Sequence, residues 1–192
     1  MGNWYRLYKG RAWNSITLSN HDSPRQLTIY GAEDQYRKES AKLIATFLLT
    51  APGTPFLYQG EEIGMTNVCF PQIDDYRDLE LLNRYREMMA KGVKSEAALR
   101  ELRYLCRDNA RTPMQWSAAP NGGFTDGKPW IGVNPNYPAV NADQSLVDPD
   151  SIFEYYRCLI TFRKLTQTLF TVNTFQWRHR RELPGNCCRD LT

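Results

Sequence analysis

Two short polar segments carry side chains that catalysis commonly uses. Asn20-His21-Asp22 places an imidazole beside a carboxylate, and Gln59-Gly60-Glu61-Glu62 carries two adjacent carboxylates. Imidazole and carboxyl groups are the usual proton donors and acceptors of enzymes. Asn, Asp and Gly are also common turn residues, so the spacing alone leaves a purely structural role open for both segments.

The residues around these segments predict how they are positioned. Residues 15–19 and 55–58 each read as a short strand, and Asp34 can cap a helix over about 36–51 between them. The buried face of this helix is predicted to hold Ile44, Phe47, Leu48 and Ala51. A strand, helix and strand in this order predict a βαβ unit with parallel strands. Ligands collect at the carboxyl ends of parallel strands, and we call that edge of the sheet the rim. We expect both polar segments to lie on this one rim.

The chain changes character after the second predicted strand. Apolar spacing predicts a helix through Leu81 and Met89, another capped by Ser95, and a last one capped by Asp150 or Ser151. Turn formers dominate residues 111–149, and an irregular segment of that length inside a domain is usually functional. Residues 168–192 show no apolar period and are expected to form an aberrant tail.

Composition excludes several classes of protein. The 192 residues are 42% hydrophobic and 23% charged, which is typical of a globular chain. The formal net charge of +3 comes without a basic run, so we expect neither a nucleic-acid nor a membrane partner. The five cysteines lack zinc-ligand spacing, and with no secretion signal they predict reduced thiols in the cytoplasm. The length is too short for a complete eight-stranded α/β barrel of about 250 residues.

Four blocks in order resemble the alpha-amylase family, glycoside hydrolase family 13. The first is Ser19-Asn20-His21-Asp22-Ser23-Pro24-Arg25, and the second runs from Gly53 through Gly60-Glu61-Glu62-Ile63-Gly64-Met65. The third, Arg107-Asp108-Asn109-Ala110-Arg111-Thr112-Pro113-Met114-Gln115-Trp116, is similar to the signature of the oligo-1,6-glucosidase and alpha-glucosidase branch. The fourth combines Gly127-Lys128-Pro129-Trp130 with Asp148-Pro149-Asp150-Ser151-Ile152-Phe153.

The resemblance assigns roles to individual residues. Asp22 matches the family's third catalytic carboxylate, which holds the 2- and 3-hydroxyls of the reacting sugar, and His21 matches its glucose-binding neighbour. Arg107 resembles the residue that closes the glucose pocket behind the non-reducing end. Arg111 and Glu80 match further substrate-binding positions, although a structural ion-pair role stays open for both. Neither Glu61 nor Glu62 matches the acid or the nucleophile, and the resemblance implies no metal and no cofactor.

The resemblance also implies a fold and an activity. We expect residues 1–167 to be the C-terminal part of a catalytic (β/α)8 TIM barrel, with its last two strands and their helices. Residues 168–192 stand where the family continues into a β-sandwich. In the family the nucleophile and acid carboxylates lie upstream of the Asn-His-Asp block, so the chain alone is expected to lack them and to be inactive.

The implied parent is a retaining alpha-glucosidase that hydrolyses terminal α-glucosidic bonds of short oligosaccharides, α-1,6 bonds in particular. Trehalose-6-phosphate hydrolase and sucrose isomerase of the same branch remain alternatives. A non-catalytic ancillary relative of the barrel is a third alternative from a different class.

Overall fold

The computed structural model describes residues 12–166, and the predicted tail at 168–192 lies outside them. Within this range, strand β1 (Ser15–Ile16) pairs in parallel with strand β2 (Thr54–Pro55), with Ser15 opposite Thr54. Helix α1 (Gln26–Tyr30) and helix α2 (Arg37–Thr50) connect the two strands. The predicted βαβ unit with parallel strands is therefore confirmed.

Both strands are shorter than the sequence predicts. Two backbone bonds join them, from Thr54 N to Asn14 O and from Phe56 N to Ile16 O, each 2.8 Å long. Pro55 lies between these donors, at a position whose N–H would point away from β1, so the proline is compatible with this pairing. Residues 17–19 and 57–58 are irregular, and Thr17 turns its hydroxyl onto Ser19 O at 2.8 Å. Because each strand ends earlier than predicted, the loops that carry the polar segments begin sooner.

Helix α2 packs against the last helix, α7 (Ile152–Leu165). Ile44, Ala45 and Leu49 on α2 meet Ile152 and Tyr156 on α7 in one buried cluster. Phe47 was predicted to be inward but is 47% exposed, because the buried stripe follows positions 41, 44, 45, 48 and 49 instead. The capping expectation for α7 is confirmed by Ser151, whose Oγ accepts a bond from Glu154 N at 3.1 Å.

A second cluster lies under the helical hairpin of α3 (Leu79–Ala90) and α4 (Ser95–Leu102). Leu81, Leu99 and Leu102 pack there on Val68 and Ile131. The prediction that Ser95 caps α4 is wrong. Lys94 occupies the cap position, and the Ser95 hydroxyl lies 2.7 Å from the Tyr85 hydroxyl across the hairpin.

The turn-rich segment is ordered by buried amides as well as by apolar residues such as Ile131. Helix α5 (Asp108–Arg111) leads into it, and helix α6 (Ala142–Val147) lies within it near its end. Gln115 is fully buried, and its Nε2 donates to Val140 O at 2.6 Å and to Asn136 Oδ1 at 2.9 Å. Asn134 Nδ2 donates to Thr66 O at 3.2 Å. These bonds fix the segment onto the chain that follows β2.

No helix among residues 12–166 combines the length and the apolar character that a membrane span requires.

Candidate active site

The loop after β1 presents His21 and Asp22 to solvent. We call residues 20–23 the Asp22 loop. Asn20 Oδ1 accepts a bond from Asp22 N at 2.8 Å, and Ser23 Oγ accepts one from Asn20 N at 2.8 Å. His21 Nε2 lies 3.2 Å from Asp22 Oδ2, with both side chains more than half exposed. The loop thus fixes its backbone internally and leaves one face of the carboxylate open.

Arg111, at the end of α5, contacts the Asp22 loop although it lies 89 positions from Asp22 in the sequence. Its Nη2 lies 2.5 Å from Asp22 Oδ1, and its Nε donates to His21 O at 2.9 Å. One guanidinium thereby holds both the backbone and the carboxylate of the loop. Three of the residues that the sequence singles out, His21, Asp22 and Arg111, are brought into direct contact.

Arg107 lies at the other end of α5 and pairs with a different carboxylate. Its Nη2 is 2.5 Å from Asp78 Oδ1 and 4.0 Å from Glu80 Oε2. Hydrogen bonding to Asp78 raises the pKa of Arg107, and the negative charges of Glu80 and Asp22 act in the same direction. Arg107 and Glu80 are therefore neighbours, and Asp22 is close enough to influence the guanidinium.

Asp78 is a buried residue for which the sequence analysis had no role. Its Oδ1 caps helix α3 by accepting from Glu80 N at 3.1 Å. Burial alone would raise the pKa of Asp78, but the bonds from the Arg107 side chain and backbone outweigh it and lower that pKa. Its position directly before a predicted helix signals a cap, whereas nothing local to it signals the partnership with Arg107.

A buried arginine, also missed from the sequence, ties three of the four blocks together. Arg25 is 1% exposed and donates to Gln59 O at 2.6 Å, Asn109 O at 3.0 Å and Ala110 O at 3.2 Å. Its guanidinium also lies 5.5 Å from the centre of the Tyr58 ring. Burial lowers the pKa of Arg25 to about 10, so the group stays charged at neutral pH. Arg25 is the only charged residue between Asp22 and Glu33, and this isolation is at most a weak indication of its buried role.

The adjacent glutamates face different surroundings. Glu61 is 4% exposed and accepts a hydrogen bond from Ser19 Oγ, directly before the Asp22 loop. Burial raises the pKa of Glu61 to about 7, while the bond from Ser19 opposes that shift. Glu62 Oε2 accepts a bond from Gly60 N at 2.8 Å. Glu62 therefore binds within its own loop, whereas the buried Glu61 joins the loop after β2 to the chain after β1.

Together these groups form a rim at the carboxyl ends of two parallel strands. Paired carboxylates and guanidiniums at such a rim can bind the hydroxyl groups of a polar ligand. Within residues 12–166, no three or more His, Cys, Asp or Glu side chains cluster in a way that could hold a metal ion. The fold and the rim define an α/β protein with its charged and polar side chains gathered where the strands end.

Comparison with known proteins places the chain more closely. The model of the alpha-amylase catalytic domain matches residues 1–171. The oligo-1,6-glucosidase of Parageobacillus thermoglucosidasius is 52% identical over 165 residues, which cover 85% of this chain and 29% of that enzyme. The chain therefore belongs to the alpha-amylase family.

Solved structures agree with this assignment. A trehalose-6-phosphate hydrolase from Bacillus licheniformis superimposes with a TM-score of 0.83 at 46% identity, covering 86% of this chain and 30% of that one. An isomaltulose synthase from Erwinia rhapontici NX5, solved with its natural substrate sucrose, gives a TM-score of 0.80 at 43% identity. It covers 85% of this chain and 30% of that one. The chain thus spans about three tenths of the length of these relatives, in a part of their (β/α)8 barrel.

Proposed function

We propose that this chain supplies the third-carboxylate side of the active site of a retaining alpha-glucosidase. The observation that carries the proposal is the contact of His21, Asp22 and Arg111 at the carboxyl end of β1. The substrate is a short oligosaccharide with a terminal α-glucosidic bond, an α-1,6 bond in particular, and the location is cytoplasmic. Identity of about 50% to several oligo-1,6-glucosidases supports this substrate class.

Asp22 acts in this proposal through hydrogen bonds that strengthen in the transition state. Retaining glycosidases pass through an oxocarbenium-like state, flanked by a nucleophile carboxylate and an acid carboxyl group. As positive charge develops on the sugar ring, its hydroxyls become better donors to a fixed carboxylate. Arg111 fixes Asp22 from one side and leaves part of the carboxylate free for the sugar. The nucleophile and the acid come, in this proposal, from other strands of the barrel.

The charges at the rim favour a neutral sugar over a sugar phosphate. Both arginines there already have a carboxylate at 2.5 Å, Arg107 from Asp78 and Arg111 from Asp22. Glu80 adds another negative charge 4.0 Å from Arg107. A phosphate group would have to displace a carboxylate or approach an uncompensated one. The proposal therefore takes a neutral sugar as the substrate, and trehalose-6-phosphate hydrolase, from the same branch, remains the alternative that the experiment separates.

The proposal is tested with a fusion protein. The full chain is joined downstream of the part of the Parageobacillus thermoglucosidasius oligo-1,6-glucosidase that precedes its matching segment. We expect this fusion to hydrolyse an aryl α-glucoside and isomaltose faster than trehalose 6-phosphate. A folded fusion without turnover of either glucoside would refute the proposed function, and a preference for trehalose 6-phosphate would refute its substrate class.

Asp22→Asn in the same fusion tests the assigned chemistry. We expect kcat to fall by about 10²–10³-fold, the usual loss for one transition-state contact, with a much smaller change in KM. Asp34→Asn is the matched control, because Asp34 is exposed, makes no hydrogen bond or ion pair to His21, Asp22 or Arg111, and can keep its bond to Tyr36 N as an amide. A large rise in KM with kcat unchanged would assign Asp22 to ground-state binding instead.

A further inference from the structure

The side chain of Arg107 is held along one edge only. Its Nε lies 3.1 Å from both oxygens of Asp78, and its Nη2 lies 2.5 Å from Oδ1. The Arg107 backbone N also donates to Asp78 Oδ2 at 3.1 Å. Among residues 12–166 no hydrogen bond engages Nη1, and the side chain is 34% exposed. The Nε–Nη2 edge is therefore occupied by Asp78, and Nη1 is left to bind a further acceptor.

Asp78 is itself fixed from several directions. It is 4% exposed and caps α3 through Glu80 N. Asp108, the neighbour of Arg107 in the chain, accepts hydrogen bonds from Asp78 N at 2.9 Å and from Arg77 N at 2.6 Å. Each aspartate thus binds the backbone beside the other. This reciprocal arrangement leaves the Asp78 carboxylate a single orientation relative to α5.

A guanidinium needs such a partner to bind a sugar with a defined geometry. Arginine has many rotamers, and fixing them at the moment of binding costs conformational free energy. A carboxylate that binds the Nε–Nη2 edge beforehand removes most of that cost and leaves Nη1 to donate to hydroxyls. It also balances the charge, so a neutral ligand meets a neutral pair.

We propose that Asp78 is a positioning residue that presents the Nη1 end of Arg107 to the glucose unit. The proposal rests on the proposed function, because it assigns Arg107 to sugar binding. It predicts an effect on substrate binding that exceeds any effect on the chemical step. It also predicts that the effect of Asp78 disappears when Arg107 is absent.

Asp78→Asn in the fusion protein is the test. Asparagine is as good a helix cap as aspartate and has the same shape, so α3 keeps its cap while Arg107 loses its charged partner. We expect KM for isomaltose to rise at least tenfold, with kcat changed less than threefold. Asp148→Asn is the matched control, because it removes an ion pair of the same 2.5 Å length, to Lys38, that involves none of Asp78, Glu80 and Arg107. Asp148→Asn is expected to leave both constants unchanged.

Two further measurements separate positioning from a purely structural role. In an Arg107→Ala background, Asp78→Asn is expected to add no further rise in KM. The Arg107 Nε proton, observed by ¹⁵N-arginine NMR, is expected to exchange slowly in the parent and in Asp148→Asn, and fast in Asp78→Asn. An unchanged KM in Asp78→Asn, or an equal rise in the Arg107→Ala background, would overturn the proposal.

The two proposals fail in different ways. A folded fusion without turnover would refute the proposed function, and the Nε exchange rate would then decide whether Asp78 holds Arg107. An active fusion in which Asp78→Asn behaves like Asp148→Asn would refute the positioning role alone. If Asp78→Asn does not fold, Asp78→Glu replaces it, with a rise in KM expected because the longer side chain moves the carboxylate.

Discussion

At the residue scale, the rim depends on two buried charges that never face it. Arg25 donates to three backbone carbonyls, which belong to the loop after β2 and to α5. Glu61 accepts a hydrogen bond from Ser19, directly before the Asp22 loop. Such groups are costly to bury and are retained where their hydrogen bonds hold separate segments together. The exposed side chains of the rim are therefore placed by residues that do not touch the ligand.

Arg25→Lys is expected to destabilise the folded protein. A lysine at this position reaches at most one of the three carbonyls and leaves the others buried and unpaired, at about 1–3 kcal/mol each. We expect a fall of at least several degrees in the unfolding midpoint of the fusion, measured by thermal denaturation. Arg86→Lys provides the control, because Arg86 is exposed and, among residues 12–166, its side chain binds only Asn83 Oδ1. Equal midpoints for the two variants would contradict the role given to Arg25.

Glu61 makes stability depend on pH in a defined direction. Its pKa is about 7 in the folded protein, against 4.5 for an ordinary glutamate, so the folded state binds its proton more tightly. The stability that this group contributes is complete below pH 4.5 and is lost as the pH rises through about 7. The shift corresponds to about 3 kcal/mol. Arg25 and the Ser19 bond oppose it, whereas Glu62 adds to it.

Glu61→Gln is expected to remove most of this pH dependence. The amide oxygen still accepts the bond from Ser19, but the side chain no longer ionises. We expect the fall in unfolding midpoint between pH 5 and pH 8 to be smaller in the variant than in the parent. Glu96→Gln, at an exposed position on α4, is the control. A variant as sensitive to pH as its parent would show that Glu61 does not titrate in this range.

At the element scale, the rim is supported by helices that pack from outside. Helices α2 and α7 form the main contact, with Ala45 and Leu48 of α2 fully buried. Lys38 and Lys42 on α2 pair with Asp148 and Asp150, just before α7, at 2.5 Å each. These exposed pairs add little free energy, so the packed apolar faces of α2 and α7 hold the two helices together. The start of α7 depends on its cap.

Ser151→Ala is expected to destabilise α7 and its packing on α2. Loss of an N-cap hydroxyl costs about 1 kcal/mol, and Ser151 is the residue that caps α7. A decrease of a few degrees in the thermal midpoint of the fusion would confirm this. Ser151→Thr keeps the hydroxyl and is expected to keep the midpoint. The expectation fails if both variants melt at the same temperature.

At the scale of the whole molecule, the described sheet has only two strands. Each strand among residues 12–166 has one neighbour, and Phe56 and Leu57 next to β2 are 58% and 42% exposed. In a closed barrel every strand has two neighbours. Our proposal needs three catalytic carboxylates, and the rim supplies one of them, Asp22.

The chain on its own is therefore expected to show no turnover of an aryl α-glucoside. In the proposed mechanism Asp22 and its neighbours bind sugar hydroxyls but supply neither the nucleophile nor the acid. The measurement is a rate for the purified chain beside the fusion, with the Asp22→Asn chain as background. Turnover by the chain above that background would mean that the described residues contain a complete active site.

Much of the fold follows from local patterns in the sequence. The order strand, helix, strand specifies parallel pairing, because a crossover helix returns the chain in the same direction. The cap at Ser151 and the helix through Leu81 and Met89 likewise depend on neighbours in the chain. The position of Asp22 at a strand end is part of the same local information. Phe47 shows the limit, since its apolar character did not decide which face of α2 becomes buried.

The partnerships of the charged side chains were decided by the tertiary structure alone. Asp22 with Arg111, Asp78 with Arg107, and Arg25 with the carbonyls of Asn109 and Ala110 join residues 29 to 89 positions apart. Ion pairing leaves no periodic pattern in the sequence. The positions of charged residues along the chain therefore do not reveal which opposite charge each will meet. Only the packing of α5 against the loops after β1 and β2 brings these groups within hydrogen-bond distance.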